Sequence, residues 1–326
     1  MLLAFGAIII GLVLLVWSAD RFVEGASSIA NHLGVSPLII GITIIGFGTS
    51  APEILVSIIA VLEDTPDIAI GNALGSNIAN IGLILGITAY ITPIPIAKHL
   101  LRREFPLLIS ATVILAWCLI DGALDRFDGL LLIGTLSVVL IYLIRSHGRS
   151  PNKQRIEKQL SESIPEDMSF KAAIGWVIIG LIILVGSSKL LVWGASDIAT
   201  TLGVSELIIG LTVVALGTSL PELAASIVSL KKGVPDLAIG NVIGSNLFNS
   251  LAVIGLPALL TNFSIDSSAI SRDLPVVGAL TLLLFCFALF PTSSARNLSR
   301  LKGFWLLACF VIYQLYLYYG VMIGNT

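Results

Sequence analysis

Charge is what this sequence has least of. Only 12% of its 326 residues are Asp, Glu, Lys or Arg, while 56% are hydrophobic; soluble domains carry about 25% charged residues. A soluble fold of this size could not cover its surface with so few ionised groups. Cysteine and histidine are scarce as well, with three of each. None of them follows a zinc or haem spacing. Cys118, Cys286 and Cys309 all lie in apolar runs, which argues for packing residues and against a disulfide framework. The net charge of −2 says little about partners, and no basic block points to nucleic acid. In place of charge the chain has repeated apolar stretches near the ~20 residues that cross a bilayer core of about 30 Å. The first, LLAFGAIIIGLVLLVWSA, has no basic residue ahead of it, unlike a secretory signal. It reads as a membrane helix of an integral membrane protein.

The polar residues that remain are not scattered. GASSIANHLGVSPLIIG, from Gly25, repeats as GASDIATTLGVSELIIG from Gly194, at an offset of 169 without a gap. The same offset relates GTSAPE to GTSLPE, PDIAIGNALGSNIAN to PDLAIGNVIGSNLFN, and RREFP (Arg102 to Pro106) to SRDLP (Ser271 to Pro275). Two greasy segments that were alike by chance would not preserve glycines and polar residues, so the chain is a duplication.

Each copy predicts five membrane helices, at roughly 2–20, 37–62, 68–92, 104–121 and 129–145, then 172–196, 206–230, 237–261, 274–291 and 303–323. The domain organisation expected is therefore a first repeat over 1–145, a cytoplasmic linker over 146–171 and a second repeat over 172–326. An odd number of crossings forces the second copy to enter from the opposite side, the inverted arrangement common in secondary transporters. With the N-terminus outside, fifteen of the eighteen Lys and Arg residues fall in inside loops, and Arg126, Lys189 and Arg272 are left outside. Both termini are expected to face outward.

Two acidic residues stand deep in apolar segments, Glu53 and Glu222, again 169 apart. Each costs about 2.5–3.5 kcal/mol at the centre of a membrane helix, and no Lys, Arg or His lies at similar depth to neutralise it. A bound cation is the natural partner. Pro52 and Pro221 lack an amide hydrogen and release the carbonyls of Gly48 and Gly217. Thr49, Ser50, Thr218 and Ser219 follow at once, so a break is expected in helices 2 and 7, lining a cavity. Carbonyls, hydroxyls and a carboxylate form the hard oxygen set that Ca²⁺ prefers. In the next helix Asn72, Ser76 and Asn80 recur every fourth residue on one face, matched by Asn241, Ser245 and Asn249. Asn77 and Asn246 point to an adjacent face. Serine and asparagine in such places also serve simply to join helices.

The paired strings GTSAPE with GNALGSNIAN and GTSLPE with GNVIGSNLFN resemble the two alpha repeats of the cation/calcium exchanger superfamily, above all its prokaryotic sodium/calcium exchangers. The resemblance covers almost the whole chain. It implies an all-α fold of ten transmembrane helices in the inner membrane, in which the first and sixth slide against the rest. It implies that Glu53 and Glu222 are the central carboxylates, that Thr49, Ser50, Thr218 and Ser219 add oxygens beside them, and that Ser76, Ser245, Asn80 and Asn249 are ligand positions. Some members carry aspartate where this chain has Asn249, which leaves two carboxylates here and argues against potassium coupling. The expectation is an antiporter that exchanges Ca²⁺ for Na⁺ and is not an enzyme. It needs no cofactor or protein partner beyond the transported cations and the lipid. A proton-coupled antiporter and a passive channel stay open as alternatives. A Ser50 or Ser219 nucleophile would lack a neighbouring base.

Overall fold

The computed structural model describes residues 2–147, 168–201, 215–290 and 296–323. These are overwhelmingly helical: α1 (Leu2–Leu33), α2 (Pro37–Leu62), α3 (Pro66–Ile91), α4 (Glu104–Leu119), α5 (Arg126–His147), α6 (Phe170–Thr201), α7 (Leu220–Lys231), α8 (Pro235–Leu260), α9 (Ala269–Leu289) and α10 (Arg300–Ile323). Among the described residues, eight helices are long and apolar enough to cross a membrane. The remaining two fall outside that count for different reasons. α4 has 16 residues, about 24 Å at the α-helical rise. The expected span 206–230 is described only from Ala215, as a turn at Ala215–Thr218 followed by α7. Its first part, and the expected linker apart from its ends, lie outside the described residues.

α1 runs well beyond the expected boundary near residue 20. The charges that marked that boundary are compensated inside the fold. Arg21 bonds Glu24 at 2.7 Å, its guanidinium lies 5.6 Å from the Trp176 ring centroid, and Asp20 pairs with Lys232 at 2.9 Å. Arg21 is therefore part of a helix and not of a loop. Glu24, Glu104 and Asp273 are buried acids besides the expected two. Asp273 is neutralised by a two-pronged bond from Arg272 and a 2.8 Å bond from the Tyr313 hydroxyl.

The chain divides into two compact units, each drawing on both sequence copies. The first gathers Met1–Thr49 and Leu143–Asn241. Its spine is α1 lying antiparallel to α6, and glycines let the backbones touch. A Cβ on Gly25 would stand 2.7 Å from the Ala173 carbonyl, and one on Gly194 2.7 Å from the Ala4 carbonyl. Both partners, like both glycines, are 169 residues apart, so the contact is reciprocal. Phe22, Val23, Ile45, Leu184, Ala225 and Leu237 fill the core beside it.

The second unit holds Ser50–Tyr142 and Val242–Thr326. Here α3 packs antiparallel to α10 and α5 to α8. A Cβ on Gly303 would meet the Gly86 carbonyl at 2.7 Å, and one on Gly129 the Gly255 carbonyl at 2.9 Å. Gly86 and Gly255 keep the offset of 169, whereas Gly129 and Gly303 are 174 apart. Two short antiparallel pairs behave alike: β1 (Ile94–Pro95) with β4 (Asn297–Leu298), and β2 (Ala123–Leu124) with β3 (Phe263–Ser264). Five residues inserted before the last helix of the second copy change the offset and leave the pairing intact.

The expected break in helix 2 is not what forms. α2 is helical throughout, with Pro52 inside it and one wide π-type turn at Gly41–Ile45. A proline removes one backbone bond and bends a helix without having to end it. In the second copy the helix is interrupted at a single residue, Ser219, which stands just before α7.

Candidate cation site

The first copy's glutamate lies in the second unit. Glu53 is 1% exposed, and neither carboxylate oxygen has a hydrogen-bond partner among the described residues. Its backbone is held from α3: the Asn72 Nδ2 donates to the Glu53 carbonyl and to the Ser57 Oγ, both at 3.0 Å. Ser57 in turn donates to the Ala69 carbonyl at 3.5 Å. Both Asn72 amide hydrogens are thereby used, which orients the carboxamide and points its oxygen away from α2.

The second copy repeats this within the first unit. Asn241 Nδ2 donates to the Glu222 carbonyl at 3.1 Å and to the Ser226 Oγ at 3.0 Å. Glu222, Ser226 and Asn241 are all buried. Thr49 adds a bond here, since its hydroxyl lies 3.2 Å from Asn241 Oδ1 and 3.0 Å from the Ile45 carbonyl. Close approach at this point depends on Gly41 and Gly240, where a Cβ would meet the Leu237 and Leu38 carbonyls at 2.7 and 2.6 Å.

The remaining expected residues are also withdrawn from the surface. Ser50, Ser76, Ser219, Ser245, Asn80 and Asn249 are buried, and Thr218 is half-buried. The Ser50 hydroxyl, both polar atoms of Asn80 and the Asn249 Oδ1 have no hydrogen-bond partner among the described residues. A wide turn begins at Ala79 in α3 and at Asn249 in α8. Such turns are frequent at functional sites. Asn77 and Asn246 take different bonds, to the Ser250 hydroxyl at 2.9 Å and to the Val242 carbonyl at 2.7 Å.

Sequence reasoning missed Ser57 and Ser226. The signal was present, for both copies read GTSxPExxxS, with the serine one turn after the glutamate. Ser250 carried no such signal, because Ile81 occupies the equivalent position in the first copy.

Chemically, each copy joins a buried carboxylate to a carboxamide whose donors are spent and whose oxygen is left as an acceptor. The Glu53 carboxylate, without a hydrogen-bond partner among the described residues, is costly in an apolar interior, and a cation relieves that cost. Comparison with known proteins agrees. The model of the sodium/calcium exchanger protein family matches residues 3–145 and 172–319. The candidate antiporter CaxA of Alkalimonas amylolytica is 45% identical over 98% of this chain and 99% of its own length. The sodium/calcium exchanger MaX1 of Methanosarcina acetivorans is 29% identical over 97% of this chain and 98% of its own. A solved structure of the sodium-calcium exchanger NCX_Mj, soaked with neither Na⁺ nor Ca²⁺, aligns at a TM-score of 0.82 with 34% identity, covering 96% of this chain and 98% of that one. With matched halves, a matching fold and full-length relatives, the chain belongs to the sodium/calcium exchanger protein family.

Proposed function

We propose that this protein is a secondary antiporter that exchanges Ca²⁺ for Na⁺ by alternating access, with Glu53 and Glu222 as the two carboxylates that serve the transported ion. The observation that carries the reading is the Glu53 carboxylate, buried with neither oxygen hydrogen-bonded among the described residues while its backbone is pinned by Asn72. Two carboxylates balance one divalent ion. Thr49, Ser50, Thr218, Ser219, Asn72, Ser76, Asn80, Asn241, Ser245 and Asn249 supply neutral oxygens of the kind Ca²⁺ and Na⁺ accept. Competition of both ions for the same carboxylates enforces exchange, because two unneutralised charges resist crossing. Ten helices in two inverted sets, with both termini outside, fit the reciprocal antiparallel contacts of α1 with α6 and the distribution of Lys and Arg. The proposed location is the inner membrane.

The test is Ca²⁺ uptake by proteoliposomes under an imposed Na⁺ gradient or an imposed pH gradient. Uptake with the Na⁺ gradient alone is the expected result. Uptake that follows only the pH gradient would keep the site and replace the coupling ion with H⁺, and absence of Ca²⁺ movement under both would overturn the reading.

A further inference from the structure

The two carbonyls that the site prolines release are not treated alike. Pro221 has no amide hydrogen to offer the Gly217 carbonyl four residues earlier. That carbonyl is taken instead by α6, where the Ser188 hydroxyl, 4% exposed, donates to it at 2.5 Å. A serine in a membrane helix commonly turns back to its own helix, as the adjacent Ser187 does toward the Leu184 carbonyl at 2.9 Å. Ser188 reaches across to another element. One turn further along α6, Val192 packs directly on Gly217, where a Cβ would overlap the valine side chain at 1.9 Å.

The first copy lacks this arrangement. Val23 stands at the position equivalent to Val192, and Gly48 at that of Gly217, but Ala19 replaces Ser188, and the side chains nearest Gly48 are Leu181 and Phe22. Ala19 has no hydroxyl to offer the Gly48 carbonyl, which Pro52 releases in the same way.

We infer that Ser188 is a positioning residue that sets the cation affinity of the second copy's half of the site by occupying the Gly217 carbonyl. The inference rests on the exchange reading above. The donated proton brings partial positive charge to the oxygen and fixes its direction, and both oppose its use by a cation. Without the hydroxyl the carbonyl is left buried and unpaired until an ion arrives, so the ion-free form loses stability relative to the ion-bound form. Ser188 therefore keeps binding weak enough for release, and the two copies present unequal oxygens to the same cargo.

Binding of ⁴⁵Ca²⁺ to the purified full-length protein, with and without competing Na⁺, measures this directly. Ser188→Ala is expected to bind Ca²⁺ roughly fivefold more tightly, the worth of one buried hydrogen bond, and to turn over more slowly in proteoliposomes. Ser188→Thr, which keeps the hydroxyl, is expected to match wild type. A merely structural serine would lower turnover and leave the affinity unchanged, and that result overturns the inference, as does an equal shift in Ser188→Thr. Should Ser188→Ala fail to accumulate, Ser188→Cys, a weak donor of similar size, is expected to shift affinity in the same direction by a smaller factor; an unshifted affinity overturns the inference. A wild type that binds no Ca²⁺ overturns the exchange reading and this inference with it, whereas a wild type that binds beside an unshifted Ser188→Ala overturns this inference alone.

Discussion

Asn72 holds the Glu53 carbonyl and the Ser57 hydroxyl at 3.0 Å each, and Asn241 holds the Glu222 carbonyl at 3.1 Å and the Ser226 hydroxyl at 3.0 Å. Around these near-identical clamps the copies part company. Asn241 is fully buried and its oxygen receives Thr49, while Asn72 is partly exposed. The helix passes through Pro52 without interruption but is interrupted at Ser219. Ser188 occupies a carbonyl that Ala19 cannot. Duplication preserved the bonds that hold each glutamate's backbone, and divergence fell on the groups around them.

The strongest test of equivalence is the charge itself. Glu53→Gln and Glu222→Gln are each expected to reduce Na⁺-driven Ca²⁺ flux to about 3% of wild type or less, the size of effect seen when a buried charge pair loses one member (about 2–5 kcal/mol). Both variants should still insert and purify normally. A variant that retained near-normal flux would show that only one copy carries the charge work.

The reciprocal glycines test whether equivalence extends to packing. Gly25→Leu and Gly194→Leu each push a side chain into a backbone carbonyl at 2.7 Å. Each is expected to cost about 1–3 kcal/mol or more, as overpacking does, read as a fall in melting temperature in detergent. Gly6→Leu, on the same helix as Gly25 with nothing within 4 Å, should have little effect. Unequal losses at Gly25 and Gly194 would show that the spine of α1 and α6 is less symmetric than its contacts.

Much of this was legible in the sequence because membrane helices and duplicated polar motifs are both strong signals. The span of α2 was read to the residue, and Glu53, Glu222, Asn72 and Asn241 stood out as polar groups repeated in apolar surroundings. What was not legible depended on partners distant in the chain. The continuation of α1 past Asp20 needs Lys232 and Trp176 to compensate its charges. The role of Ser57 and Ser226 emerges only when α3 and α8 bring an asparagine to them. The offset of 174 in the last helix became visible through paired glycines and short strands, after the identity that carries the repeat had faded. The expected break at Pro52 failed because a missing amide hydrogen states which bond is lost and not whether the helix tolerates the loss.

The two clamps themselves should differ in strength. Asn241→Ala removes donors to two buried acceptors and the acceptor of Thr49, and is expected to destabilise by about 2–3 kcal/mol. Asn72→Ala, at a partly exposed position, should cost about 1 kcal/mol. A double-mutant cycle with Ser226→Ala is expected to show coupling with Asn241→Ala, since the pair shares a bond. Equal costs for the two asparagines would mean that Thr49 and the deeper burial add nothing.

The smallest expected difference lies at the turns before the fourth helix of each copy. Asp266 accepts the Ser268 amide at 2.7 Å, and its own amide donates to Asp67 Oδ1 at 3.1 Å. The equivalent residue, Ala97, has no side chain to do the same and leaves the short helix Lys98–Arg102 without a side-chain cap. The Ser268 hydroxyl, followed by its amide, holds the Asp266 carboxyl below its ordinary range. A carboxyl depressed in the folded state contributes stability that is present above its unfolded value, about 3.9, and is lost as pH falls through the lower folded value. Asp266→Ala should therefore lower the melting temperature slightly at neutral pH, and its gap from wild type should narrow as the pH is taken below about 4. Ala97→Asp carries the amide bond into the first copy but not the hydroxyl bond, because His99 stands at the position of Ser268. If the amide bond is local, as its two-residue reach implies, this variant gains a small increment with a weaker pH dependence; a gap or gain that ignores pH would assign the effect to shape and not to the carboxylate.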